Sequence, residues 1–178
     1  MAIKDHRITT HFKEIDNFHP LPHSGNDYAI AQNTPLEAIS DGVITGVSTN
    51  EMLGNNMRYK TSDGKTIVYG HLSEFDSKVG DQVHAGQIIA KSGGDPRIQP
   101  SGHSTGSHLH LTIYGSDGTT LLDPTSYVQN EMQPSNQLSP SVIPVLLILM
   151  CLIIYKFKRV FAYGFGICAI LAILFIVS

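Results

Sequence analysis

From Ile8 to about Val128, apolar and polar residues change places in short runs. The runs are rich in Val, Ile, Thr and Tyr, and Gly or Asp-Gly separates them. Alternation of period two over four to eight residues, broken by turn residues, predicts β-strands packed on one face. The pattern places strands at Leu36–Ile39, Gly42–Ser48, Met57–Thr61, Thr66–His71, Gln87–Ser92 and His108–Tyr114. Asp63-Gly64, between Met57–Thr61 and Thr66–His71, is a hairpin turn signal. Asp41-Gly42 and Asp117-Gly118 mark further turns. No stretch before Ser141 shows helical periodicity. Gln129 to Pro140, polar with two prolines, reads as a linker. The expected fold is all-β: an antiparallel sheet or barrel-sandwich over 1–128, then a linker over 129–140.

Beyond the linker the pattern changes to near-continuous apolar residues. Val160–Ser178 is an uncharged run close to the ~20 residues that span a bilayer. Ser141–Tyr155 is shorter and contains Pro144, and Lys156-Phe157-Lys158-Arg159 forms a basic turn between the two. This predicts two transmembrane α-helices, a hairpin over 141–178. The positive-inside rule then places the turn in the cytoplasm and the N-terminal domain in the periplasm or at the cell surface. The first residues contain no apolar segment, so no signal peptide is visible. That favours an alternative location, the membrane of a lipid-containing phage virion.

Composition adds an exclusion. Residues 1–140 carry all 15 acidic residues against nine basic ones, a net of −6, where a nucleic-acid binder needs a clustered basic face. Both cysteines, Cys151 and Cys168, lie in the apolar tail with no Cys-x-x-Cys neighbour, so neither a thiolate zinc site nor a redox motif is indicated.

The chemistry-bearing residues are histidines, of which there are nine. In an extended strand His108 and His110 share a face, with Leu109, Leu111 and Ile113 opposite, and His23 and Asp27 share a face at a spacing of four. Imidazoles plus a carboxylate on neighbouring strands suit a catalytic zinc, which takes a few N/O ligands and keeps one position for water. Spacing alone leaves His108 and His110 as equivalent ligand candidates. It leaves open, too, that both are half-exposed strand residues. His6, His11 and His84 have no companion at useful spacing. His19 precedes His23 by four, but Pro20 and Pro22 break a regular strand there. His103 lies in the loop Ser101–Gly106. Gly93, Gly94, Gly102 and Gly106 flank the 95–107 loop, either to admit a peptide close to the backbone or as plain turn residues.

Four motifs occur in order: His23-x-Gly25-x-Asp27, Tyr69-Gly70-His71-Leu72, Val79-Gly80-Asp81-x-Val83-x-Ala85-Gly86-Gln87 and Ser104-Thr105-Gly106-Ser107-His108-Leu109-His110. Together they resemble the lysostaphin/LytM-type zinc metalloendopeptidases, metallopeptidase family 23, which cut peptidoglycan cross-links. The resemblance runs from about Ile8 to Tyr127. It departs at Ser107, where the family often has Pro, and at Leu111, often Phe. It implies one Zn2+ held by His23, Asp27 and His110, with His108 as general base or acid for the attacking water. It also implies His71 as the partner donating a hydrogen bond to the developing oxyanion. The implied substrate is a peptide cross-link or stem peptide of the bacterial wall, cut by a membrane-anchored enzyme during wall remodelling or wall penetration by a phage or mobile element. The alternative is a non-catalytic wall-binding or structural membrane protein that keeps the fold. Val79–Gln87 is also similar to the hairpin of biotinyl/lipoyl carriers, but the modifiable lysine those need at a hairpin tip is absent.

Overall fold

The computed structural model describes residues 2–131. The chain forms ten strands: β1 Ile8–Thr10, β2 Asn26–Tyr28, β3 Pro35–Glu37, β4 Gly42–Asn50, β5 Gly54–Thr61, β6 Thr66–Phe75, β7 Gln82–Val83, β8 Ile88–Ser92, β9 Leu109–Tyr114 and β10 Leu121–Leu122. A helix, α1, follows at Pro124–Glu131. The strands pair antiparallel in the order β1-β2-β9-β6-β5-β4-β7, with β10 also on β9, and β8 joining β6 to β3. Each predicted strand is present, displaced at its ends by at most a few residues. The Asp63-Gly64 turn closes β5 onto β6, with the Gly64 amide donating to the Thr61 carbonyl and Gly64 at φ +86. The four strands without a sequence signal, β1, β2, β7 and β10, have only two or three residues each, too few for alternation to register.

Alternation sets the core. Leu109, Leu111 and Ile113 of β9 meet Ile67 and Tyr69 of β6 and Met57 and Tyr59 of β5, all fully buried. Removing each such side chain from water contributes about 1.5–3 kcal/mol. Tyr59 and Tyr69 pack edge to face at 5.9 Å, and both hydroxyls are satisfied by backbone, at the Ile39 amide and the Glu37 carbonyl.

The helix α1 is a difference from the sequence reading, which has no helix before Ser141 and begins a linker at Gln129. Its signal is at its start. The Asp123 carboxylate accepts the Thr125 amide at 2.8 Å, and Pro124 occupies the first helical position, where its missing N–H costs nothing. Among its residues whose burial is described, Pro124 and Val128 are buried, with Tyr127 packed beside the core, so hydrophobic periodicity is too weak to reveal one short helix. Among the described residues no helix is long and apolar enough to cross a membrane. The expected transmembrane hairpin at 141–178 lies outside the described residues, as does the linker from 132 onward.

Two details of strand geometry aim side chains. Segment 23–27 crosses β9 so closely that a Cβ at Gly25 would stand 2.0 Å from the Leu111 carbonyl oxygen. On β6, the pairings Met57–Tyr69 and Asn55–Leu72 set three steps of β6 against two of β5, a bulge of one extra residue. That residue takes the left-handed conformation at His71, φ +56, an unusual state for a residue with a Cβ. Tyr69 and Leu72 both remain in the core, and His71 turns to the face opposite them.

Gly25→Ala is expected to lower the stability of the folded domain by about 1–3 kcal/mol, the cost of overpacking against a backbone that cannot retreat. Urea denaturation of the two proteins followed by circular dichroism measures it; an unchanged midpoint would show that β2 can move off β9.

Candidate active site

The central strand is β9, and both of its neighbours bring chemistry to the same face. In the β2–β9 ladder Asp27 stands directly opposite His110, and in the β6–β9 ladder Gly70 does. His23 reaches the face from the loop before β2. That loop is tied back on itself by the Lys13 amide donating to the His23 carbonyl and the His23 amide to the Glu14 carbonyl. His71 arrives from the bulge, its amide held by the Leu53 carbonyl at 2.7 Å.

Three lone-pair atoms converge. His110 Nδ1 lies 2.8 Å from Asp27 Oδ1 and 3.1 Å from His23 Nε2, and His23 Nε2 lies 3.4 Å from Asp27 Oδ1. Ligands bound tetrahedrally at about 2.0–2.1 Å from zinc are separated by about 3.3 Å. The three separations bracket that value, and the donor set of two imidazoles and a carboxylate is one zinc accepts. The residues fit the metal that the sequence resemblance implies. The second nitrogen of His110, Nε2, faces the Thr112 hydroxyl at 2.8 Å and the Ser24 hydroxyl at 3.3 Å. A hydroxyl accepting from Nε2–H fixes the tautomer with Nδ1 free to ligate. A second combination, His19, His23 and Asp27, also brings its ligand atoms within 4.8 Å of one another. We take the set with His110 as the primary one, because its atoms are closer and all three side chains are buried.

The electrostatics of the metal-free site follow from the shared carboxylate. Burial alone would raise the Asp27 pKa, but hydrogen bonds from His110 and His23 outweigh it and hold the carboxyl well below the ordinary range. Burial lowers both histidines. At His23 the hydrogen bond and charge of Asp27 overcome it and the pKa rises; at His110 burial prevails and the pKa falls. Asp27 therefore stays ionised, a ligand ready without loss of a proton.

Two further imidazoles flank this cluster. His108 Nδ1 is 2.8 Å from the Gly106 carbonyl, and His71 Nδ1 is 2.8 Å from the Ser101 carbonyl. A carbonyl only accepts, so in the neutral form both rings carry their proton on Nδ1 and present Nε2 as an acceptor. His108 Nε2 is 3.7 Å from Asp27 Oδ1, and the His71 and His108 ring centres are 4.5 Å apart. His71 is pushed down to about 4, first by burial and then by the neighbouring His108.

All five residues singled out in the sequence, His23, Asp27, His71, His108 and His110, line one cleft of about 990 Å3. Its walls are the 16–24 loop, with exposed Phe18 and Leu21, and the opposite segment with Met52 and His103. His19, which Pro20 and Pro22 keep out of any regular strand, lines the cleft together with both prolines. Sequence reasoning passed over Thr112 as a partner of His110. The signal for Thr112 was its spacing: two residues after His110 on one strand, it shares that face. Of the loop glycines, Gly93 is a close-approach position, where a Cβ would meet the His71 carbonyl at 2.6 Å, whereas Gly106 faces open space. Ser107 and Leu111, the two departures from the family pattern, leave the cluster intact; Leu111 is a fully buried core residue.

The profile of peptidase family M23 matches residues 21–124. The glycyl-glycine endopeptidase ALE-1 of Staphylococcus capitis is 38% identical over 123 residues, covering 67% of this chain and 32% of that protein. The DD-carboxypeptidase/endopeptidase Mpg of Neisseria meningitidis is 39% identical over 88 residues, 49% of this chain and 19% of that protein. In fold, the catalytic domain of the antimicrobial peptidase lysostaphin from Staphylococcus simulans superposes with a TM-score of 0.61 at 28% identity, covering 72% of this chain and 96% of that domain. The chain thus spans about a third or less of the curated relatives it matches.

Two outcomes follow from the geometry. Thr112→Val removes the nearer of the two hydroxyl acceptors at His110 Nε2 and should weaken zinc binding by roughly 10–100-fold, read from competition with a chelating dye; unchanged affinity would remove Thr112 from the site. For His71, the folded pKa of about 4 lies below the ordinary 6.5, so the unfolded chain binds more protons between those values and stability falls as pH drops through that window. Its share is about 3 kcal/mol. His71→Gln should flatten the dependence of the melting temperature of the metal-free protein on pH between 6.5 and 4.

Proposed function

The chain belongs to peptidase family M23, and from that premise we propose that it is a zinc-dependent endopeptidase that hydrolyses peptide bonds of bacterial peptidoglycan. The observation that carries the reading is the convergence of His23 Nε2, Asp27 Oδ1 and His110 Nδ1 on one point, with two further imidazoles presenting Nε2 beside it. Each position that the family chemistry requires is filled, which favours an enzyme over a wall-binding protein that has lost activity.

His23, Asp27 and His110 hold the zinc. Zinc there supplies Lewis acidity and a water that ionises near neutral pH, at roughly 7. The chain's own groups do the proton transfer. His108, with Nδ1–H tied to the Gly106 carbonyl, has Nε2 as a base facing the cluster, and it takes the proton of the attacking water. The same proton then passes to the departing amine nitrogen. His71 is the partner at the oxyanion. In the free site its ring is neutral with Nε2 bare, since burial and His108 disfavour the charged form. To donate a hydrogen bond from Nε2 it must take up a proton from solvent, and the negative charge growing on the substrate oxygen is what favours that protonated form. The stabilising form of His71 is then made in the transition state and is largely absent before it, as differential binding requires.

An open cleft of about 990 Å3 supports a peptide substrate, a cross-link or stem peptide of the wall in this reading. The relatives named above act on different bonds, glycyl-glycine in one case and a DD-linkage in another. The proposal covers peptide bonds of the wall as a class. We also propose that the apolar runs over 141–178 anchor the domain to a membrane on its extracytoplasmic side. Wall remodelling by a cell and wall penetration by a phage or mobile element both accommodate such an anchored hydrolase.

His108→Ala should lower turnover by on the order of 10²–10⁴-fold while the zinc content stays that of the unaltered protein; equal activity, or loss of the metal, would overturn the assignment. Full-length protein should release new amino groups from purified sacculi. Mass spectrometry of the new N-terminus on glycine-bridged and directly cross-linked walls names the bond, and release from neither defeats the enzyme reading.

A further inference from the structure

His19 and His103 are the cleft imidazoles that the proposed reaction does not use, and the surroundings of His19 are built. The Asp16 carboxylate accepts the backbone amides of Phe18 at 2.8 Å and His19 at 2.7 Å, and its Oδ1 stands 3.1 Å from His19 Nδ1. A carboxylate oxygen accepts, so in the neutral ring the proton sits on Nδ1 and Nε2 has the lone pair. That lone pair faces Asp27 Oδ2 at 3.9 Å. The Asp27 side chain is only 7% exposed. Its Oδ1 is taken by His23 and His110, whereas Oδ2 has no hydrogen-bond donor among the described residues. Two lone pairs thus oppose each other across a gap at the edge of a buried carboxylate, with the His23 ring centre 4.6 Å from that of His19. Such an arrangement is completed by a cation.

We propose that His19 Nε2 and Asp27 Oδ2 form a second divalent-cation position, sharing the Asp27 carboxylate with the zinc position at His23, Asp27 Oδ1 and His110. The inference rests on the zinc-enzyme reading. A carboxylate that gives one oxygen to each of two ions matches the spacing of two-metal sites, about 3.5–4 Å. The gap of 3.9 Å is wider than the tetrahedral edge of about 3.3 Å, and His19, about one-third exposed on a loop, closes it by a small turn of its ring. Only two protein donors serve this position and water completes the shell, so it binds more weakly than the three-donor site. The Asp16–His19 contact is what holds the tautomer that permits it, as the outer partners of ligating histidines generally do.

The test is metal stoichiometry on the full-length chain, stripped with chelator and dialysed against rising Co2+ or Zn2+. The expected result is about two ions per chain for the unaltered protein and about one for His19→Ala, with Asp16→Asn weakening the second ion by roughly 10–100-fold. His84→Ala serves as control, because His84 is exposed beside Asp41 in a similar pairing and should leave two ions bound. With Co2+, the paramagnetic resonance signal should grow through the first equivalent and fall through the second as the two spins couple across Asp27; in His19→Ala it should grow and then stay level. Saturation of the unaltered protein at one ion, or a second ion that survives in His19→Ala, overturns the second position. If the single ion is then lost in His110→Ala, the zinc-enzyme reading stands without it. A chain that takes up no ion at all removes both.

Discussion

The pairing of Asp27 with His110 across the β2–β9 ladder is the contact on which the site depends. It joins a strand of three residues to the central strand of the sheet, and the register that satisfies their backbones sets carboxylate and imidazole 2.8 Å apart. A slip of one residue would turn both to the other side of the sheet. Gly25 is what lets β2 approach closely enough for that register, and the buried leucines behind β9 prevent the strand from sliding. Hydrophobic patterning on one face thereby sets the chemistry on the other. Asp27 then shapes the electrostatics, since one carboxylate favours the charged form of two buried imidazoles, an effect that overcomes burial at His23 and yields to it at His110.

Around that contact the backbone acts as the tuning device. His71 and His108 each donate Nδ1–H to a carbonyl of the 101–106 loop, so one loop sets the tautomer of both rings. His110, whose Nδ1 is committed to the cluster, is set by hydroxyls at Nε2 instead. Three histidines within a few ångströms are thus made chemically distinct by what stands behind them, with no difference in residue type.

Much of this was legible in the chain. Period two put His108, His110 and Thr112 on one face and Leu109, Leu111 and Ile113 on the other, and the structure keeps that division. Asp63-Gly64 announced its hairpin. Spacing could not distinguish His108 from His110, because the difference lies in which nitrogen points where, a matter of rotamer and of partners distant in sequence. The placement of His71 was hidden for a similar reason: strict alternation puts it on the core face, and only the bulge reverses that. His19 was hidden by its prolines, which rule out a strand but not a loop that returns to the cleft. The helix at Pro124–Glu131 was announced only by the Asp123-Pro124 cap, in a segment whose periodicity says nothing.

The bulge in β6 has a consequence for how this sheet can change over time. It works as a parity switch: one inserted residue shifts every later position of β6 by a step, so the strand serves the cleft at His71 and returns to the interior at Leu72. Deleting a single residue there would relieve the left-handed backbone and restore a regular ladder, and would remove the imidazole from the cleft. A regular β6 and a histidine at this point of the cleft are thus mutually exclusive, and the irregular strand is the condition for placing His71 there.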